Sequence, residues 1–378
     1  MSVGYPKLQT MKKLSLFIFT TLLFSACNNS TQDNIYDVDT SVQAPIEEFI
    51  KREAACVELG NTPESMIGRI QDLEFDKDDI VINPSPNAET LLRFNRHTGE
   101  FINTIGHNGR GPIEWDHIRS MVLYEKEIYI LTTHKILVYN IDGEFQRRID
   151  TPKEIFFNLT ICDDGKIWLA SSSCNKSQYE FHLLNPATDE IEAKMGEFSE
   201  NVGFAISSNI PVIKWGENEY IATRQWDQTI YRLTSNSYEP YMTIDFNLPN
   251  TIPAQQRQSL TRADVMDKVM NVDNYFDYYV NIIQNNDIIT AFARLDYNLS
   301  DDCMVKIDTK TAKTKFLHLT GCKSEQFPYL GKCKFYRNIV DNVVVGRANA
   351  HDINQTERFK HLKDDDNPVL FFYELNLD

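Results

Sequence analysis

Glycine (15) and proline (14) are scarce in this 378-residue chain, which excludes collagen-like and low-complexity scaffolds. Basic charge is also short. Thirty-eight lysines and arginines face 54 acids, for a net charge of −16. A nucleic-acid binder needs a basic surface to neutralise phosphates, so that class is excluded. No apolar run reaches the roughly 20 residues that a spanning helix needs. No two cysteines have the C-x-x-C spacing of a zinc ribbon or a thioredoxin-like site. The eight histidines include no H-E-x-x-H, and there is no G-x-S-x-G elbow.

What remains is globular. Hydrophobic residues make up 42% and charged residues 24%, and 17 tyrosines and 22 phenylalanines favour strands. The start of the chain is an address. Met11, Lys12 and Lys13 precede an apolar run over 14–24, then Ser25, Ala26 and Cys27. A short basic region, an apolar core and small residues before a cleavage point describe a bacterial secretory signal. Cys27 stands where a lipobox places its lipidated cysteine. Residues 1–27 thus read as a lipoprotein leader with its true start at Met11, and the protein as lipid-anchored in the cell envelope. Several acyl chains anchor firmly where one does not. Residues 28–49 read as a polar, acidic tether. Six cysteines remain in the mature chain, and Cys322 and Cys333, which flank one loop, form the best pair for a disulfide.

The body repeats. Leu92-Arg93-Phe94-Asn95, Leu137-Val138-Tyr139-Asn140 and His182-Leu183-Leu184-Asn185 each run into a turn-rich tetrad and restart as a strand. The three asparagines are 45 residues apart each time. Ile230-Tyr231-Arg232-Leu233 and Val305-Lys306-Ile307-Asp308 continue the series as hairpin signals. Ahead of each lies a second strand, opened by Asp79, Glu127, Lys166, Glu219, Asp287 and, in the sixth copy, Asn342. Six such units of four short strands predict an all-β, six-bladed propeller over residues 50–378. The last unit lacks a strand, which Ala55-Cys56-Val57-Glu58-Leu59 can supply to close the ring. Two insertions, 246–275 and 351–367, break the period. The Asp364-Asp365-Asp366 triplet in the second reads as a solvated loop.

Leu92-Arg93-Phe94-Asn95 and the loop Gly106-x-x-Gly109-x-Gly111-Pro112-x-Glu114-Trp115 carry a resemblance. So do Gln228-Thr229-Ile230-Tyr231-Arg232-Leu233 and Asn367-Pro368-Val369-Leu370-Phe371. Together they resemble the six-bladed β-propeller lipoproteins of Bacteroidetes, relatives of NHL and TolB-like propellers. The resemblance implies fold and export. It implies little about function, because propellers host unrelated activities.

The glycine loop joins two strands and no Gly-Lys-Ser/Thr follows, so it reads as a tight crossing between blades rather than a phosphate cradle. Crossings and the turns between second and third strands surround one mouth of the channel. Its polar candidates are Arg110, Glu114, His117, Arg119, Asn158, Tyr279 and Arg337 from crossings, with Arg224, Trp226, Asp227 and Arg294 from turns. Arginines beside aromatic rings grip carboxylate, sulfate or sugar by paired hydrogen bonds and stacking. A lactonase-like metal site would require Glu114, Asn158 and Asp227, and a lyase would require His117 or His351 as base. No spacing supports either. The expectation is a non-enzymatic binding module without a cofactor, taking a protein partner or a small anionic or glycan ligand at the mouth. A hydrolase or lyase using that mouth is the alternative.

Overall fold

The computed structural model describes residues 34–85, 87–171, 177–198, 212–252, 274–295 and 301–378, with Met1 and Asp264 besides. The leader, Cys27, Cys174 and most of the 246–275 insertion lie outside the described residues. The chain enters as β1 (Asn34–Asp37) and β2 (Ile50–Glu58), and both join blades made much later in the sequence. The first blade is β3 (Asp72–Phe75), β4 (Asp79–Asn83), β5 (Leu91–Asn95) and β6 (Phe101–Ile105). The second is β7 (Ser120–Tyr124), β8 (Glu127–Leu131), β9 (Lys135–Asn140) and β10 (Phe145–Asp150). The third is β11 (Phe156–Ile161), β12 (Ile167–Ser171), β13 (Tyr179–Asn185) and β14 (Glu190–Glu197). The fourth is β15 (Val212–Gly216), β16 (Glu219–Arg224), β17 (Asp227–Leu233) and β18 (Tyr238–Asp245). The fifth is β19 (Phe276–Asn285), β20 (Ile288–Leu295), β21 (Asp301–Asp308) and β22 (Lys313–His318). The sixth is β23 (Lys334–Val340), β24 (Val343–Ala348), β25 (Val369–Leu375) and β2. The N-terminal strand therefore closes the ring, with Cys56 opposite Phe371.

The 45-residue period has a physical origin. In the first five blades a side chain at the end of the third strand caps the turn into the fourth. Asn95 Oδ1 accepts the backbone N–H groups of His97 and Thr98 at 2.8 and 3.0 Å. Asn140 Oδ1 accepts from Glu144, and Asn185 Oδ1 from Ala187. Thr234 and Asp308 do the same in the fourth and fifth blades. Short oxygen-bearing side chains are favoured there because they replace a missing backbone bond in the turn.

A blade cannot cover both its faces. Six apolar clusters solve this, one at each interface between neighbouring blades. Val81, Leu91 and Ile105 of the first blade meet Trp115, Met121 and Leu137, for example. A fully buried side chain of this size contributes roughly 1.5–3 kcal/mol. Inner strands β3, β7, β11, β15, β19 and β23 adjoin in a ring around the axis. The channel has a crossing face, where blades connect, and a hairpin face, where first and second strands turn.

The expected tether does not run to residue 49. β1 adds a parallel fifth strand to β18, Gln43 bridges Phe316 on β22, and a 3-10 turn at Ile46–Glu48 leads into β2. The segment covers two outer edges that would otherwise template aggregation. In the 351–367 insertion, Ile353 and Phe359 enter the core between blades five and six. Asp364 accepts from Asn354 Nδ2 and Asp366 from the Lys363 backbone, so the acidic stretch caps its own turns. Asn367, in the closing motif, is buried and bonds Gly60, Ser65 and Ile67. The expected Cys322–Cys333 bridge is absent: both are free thiols. Cys333 lies against Gly346 and donates to the Tyr329 carbonyl, so its sulfur is aimed at the blade instead.

Candidate functional site

The glycine loop is a built crossing. Gly106 has φ +55°, and a Cβ there would lie 2.4 Å from the Trp115 ring. A Cβ on Gly109 would lie 1.9 Å from Glu114 Oε2. That carboxylate accepts from the Gly111 backbone at 2.7 Å and bonds His107 Nε2 at 2.8 Å. The Gly111 and His107 bonds hold it below the usual glutamate range. Trp115 donates to the Ala88 carbonyl, and Lys135 Nζ donates to the carbonyls of Pro112 and Glu114. Glu114 is therefore the loop's internal clamp. Arg110 is exposed at its tip.

Most other candidates have structural employment. Arg224 pairs with the buried Glu180 and stacks over Tyr231 and Tyr238. Trp226 is 5% exposed and its backbone donates to Asp277, so the expected open grip of Arg224 and Trp226 is not formed. Burial favours pairing each such arginine with an acid. Arg294 holds Asp302 by two bonds, 2.7 and 3.1 Å, and donates to the Tyr278 hydroxyl. Arg119 lies 5.0 Å from the Phe157 ring centre, and Tyr279 is buried, donating to the Gln228 carbonyl. His117 bonds Asn87, while His351 bonds Asp352 at the surface. Glu114, Asn158 and Asp227 go to three different places: the glycine loop, the axis and the half-buried Tyr231 hydroxyl. No three metal-binding side chains group together among the described residues.

Two candidates do meet, at the axis. Arg337 on β23 reaches across the channel and donates to Asp72 (3.0 Å) of blade one and to Ser120 (3.2 Å) and the Met121 carbonyl (2.7 Å) of blade two. It also donates to Asn158 Oδ1 (3.2 Å) of blade three. Asn338 donates to Glu74, and Asn281 of blade five to the Arg337 carbonyl. One guanidinium thus ties four blades together. Burial pushes the Glu74 carboxyl up to about 8, against the pull of Arg337 and with the push of Asp72. Arg337 is consumed by this network and blocks the channel midway.

The crossing-face mouth holds a different convergence. Lys334 opens β23 and stands directly opposite Arg347 on β24. Burial first, then Arg294 and Arg347, lower the Lys334 ammonium below the ordinary lysine range; Arg69 adds to this and Asp302 opposes it. Asp302 is already engaged by Arg294. Among the described residues, neither Lys334, Arg347 nor Arg69 is joined to an acid. The Arg347 Nε and the Tyr336 hydroxyl are buried with no hydrogen-bond partner. Sequence reasoning named Arg294 here and missed Arg69, Lys334, Tyr336 and Arg347. In a chain of charge −16, the neighbouring cations Lys334, Arg347 and Arg69, beside the Arg294–Asp302 pair, form a local basic patch that suits an anion.

Comparison with known proteins agrees on the architecture. No curated protein matches the chain. Among solved structures, a protein of Bacteroides fragilis NCTC 9343 named as exported has 17% identity and a TM-score of 0.69. The match covers 90% of this chain and 99% of that one, and it shows the fold. A protein of unknown function from Bacteroides caccae matches more loosely, with 10% identity, 66% and 81% coverage and a TM-score of 0.43. Residues 35–374, from β1 to the last strand, match the model described as a domain of unknown function, DUF4934. The chain belongs to the DUF4934 family.

Proposed function

We propose that this propeller is a non-enzymatic binding module of the bacterial cell envelope, akin to the NHL and TolB-like propellers and anchored through Cys27. Its ligand is a small anion, a carboxylate- or sulfate-bearing sugar or acid, held at the crossing-face mouth. The observation that carries this reading is the in-register pair Lys334 and Arg347, with Arg294 beside it and, among the described residues, no salt bridge from either to an acid. Two cations opposite one another in a sheet repel, and a bridging anion converts that repulsion into two charge-assisted bonds. The buried Tyr336 hydroxyl and Arg347 Nε supply further donors. The leader at 11–27 and the exported character of the B. fragilis neighbour support an envelope location.

The test is a thermal-shift and calorimetric screen of the mature chain against uronates, sulfated sugars, inorganic sulfate and neutral sugars. A ligand at 100 times its Kd adds about 2.7 kcal/mol. The expected shift is confined to anions, weakens with salt and disappears in Lys334→Gln and Arg347→Gln. Absence of any anion effect, or a shift that survives both substitutions, overturns the reading. Anchoring is tested separately. Cys27→Ser is expected to abolish palmitate labelling and move the protein to the soluble fraction.

A further inference from the structure

Blade six turns one face toward blade one. Val57 on β2, Leu370 on β25, Val345 on β24 and Tyr336 on β23 all enter the core between these two blades. Alternate residues of a strand share a face, so Arg347 lies on the face of Val345. The register places Lys334 in the same row: Lys334, Arg347, Leu370 and Val57 stand opposite one another across the four strands. Arg69, next to Ile70 of that core, acts on both Lys334 and Tyr336 from the side of blade one.

These groups differ in chemistry. An arginine stays charged, whereas a lysine crowded by guanidinium groups gives up its proton more readily. The free amine is then a nucleophile toward a carbonyl carbon. Lys334 is exposed, so its amine is reachable from solvent. Asp302, the acid that acts on it, is held by Arg294. Directly opposed side chains in a sheet start about 5 Å apart at Cβ. A carboxylate on Arg347 therefore brings the adjoining carbon of its molecule against Lys334. The Tyr336 hydroxyl is buried without a partner, and burial raises its pKa, so it stays protonated and free to donate to a carbonyl oxygen.

We propose that the crossing-face mouth captures 2-oxo acids through a reversible imine on Lys334, with Arg347 holding the carboxylate. This rests on the anion-mouth reading and narrows its ligand to an acid with a carbonyl beside the carboxylate. The lone pair of Lys334 Nζ bonds to the carbonyl carbon as the C=O π pair moves onto oxygen. Both amine protons end on that oxygen, which leaves as water when the C=N bond forms. Nothing is oxidised or reduced. Water reverses the step, so the ligand is held covalently and released unchanged.

The experiment uses the mature chain carrying Cys27→Ala, which needs no detergent. The probe is pyruvate, with cyanoborohydride to reduce any imine to a stable secondary amine. Acetone, which has the carbonyl without the carboxylate, is the control. Peptide mapping should find the carboxyethyl group on Lys334 about tenfold above the exposed Lys323, because binding brings amine and carbonyl together. Acetone should show no such preference. Excess inorganic sulfate should suppress the Lys334 adduct and spare the adduct on Lys323. Lys334→Arg should remove the preferred adduct, and the mapping of the parent stands even if that variant folds poorly. Equal labelling of the two lysines by pyruvate, the same preference with acetone, or an adduct that sulfate does not suppress overturns the proposal. A sulfate thermal shift on the same preparation separates the two failures. A shift without a Lys334 adduct overturns the imine alone, and absence of both overturns the anion mouth with it.

Discussion

Lys334 and Arg347 face each other across β23 and β24, two cations on one face of one sheet. Like charges in directly opposed positions destabilise by a few tenths to about 1 kcal/mol. Arg347→Gln should therefore raise the urea midpoint of the ligand-free chain while abolishing anion binding. A variant that is both less stable and still able to bind would show that the pair serves the fold and not a ligand.

Arg337 makes the opposite trade. Removing it leaves Asp72 and Glu74 buried without their counter-charge. Breaking such a buried network costs about 3–5 kcal/mol. Arg337→Met should unfold far earlier than the parent, and more so at pH 8 than at pH 5. The sign follows from Glu74, whose folded pKa lies above its unfolded value. Its bound proton favours the folded chain at low pH, and that help is lost as pH rises toward about 8. Without Arg337 both carboxyls hold protons more tightly, so the dependence steepens. Glu74→Gln on that background should recover stability at pH 8. Equal losses at both pH values would contradict this account.

The blades were legible in sequence and the mouth was not, for one physical reason. Turn caps act within a few residues, so Asn95, Asn140 and Asn185 announce their hairpins locally. The mouth depends on register. Asp341 and Asn342 make a tight turn with both φ values positive, and Val340 pairs with Val343. Counting outward from that turn sets Lys334 beside Asn349. An irregularity between Phe335 and Ile339 shifts the pairing so that Lys334 meets Arg347 instead. Nothing in the chain order marks that shift. Arg224 failed as a site candidate for a related reason: its partner Glu180 lies on the neighbouring blade. The crossing role of the glycine loop, by contrast, was readable, because its glycines and Glu114 sit within one short segment.

That segment gives a third test. Gly109→Ala places a methyl where the Glu114 carboxylate lies, and the carboxylate is held by Gly111 and His107. The substitution should lower the melting midpoint by displacing Glu114. Once Glu114→Ala has removed the clamp, adding Gly109→Ala should lower it little further. Additive losses in the double variant would mean that the two residues do not share one interaction.

His182 sits on β13, 1% exposed, with its ring edge-on to Phe156 at 5.1 Å. Neither ring nitrogen has a hydrogen-bond partner. Burial, and then Lys194, pull its pKa down to about 4, against a weaker opposing effect of Glu154. The folded chain therefore holds the ring neutral where the unfolded chain would protonate it. Stability from this site is complete above about pH 6.5 and is lost as pH falls toward 4. A displacement of this size corresponds to about 3 kcal/mol. Asp72, Glu74 and Glu180, whose pKa values are raised by burial, work in the other direction over part of the same range. The His182 contribution is isolated by difference. Chemical denaturation of the parent and of His182→Phe, at intervals from pH 4 to pH 7, should give two curves that converge as pH rises if the phenyl ring fits. Below pH 6.5 the parent should lose stability faster than the variant. Parallel curves would mean that His182 protonates without unfolding cost, with water or a side-chain movement supplying the missing partner.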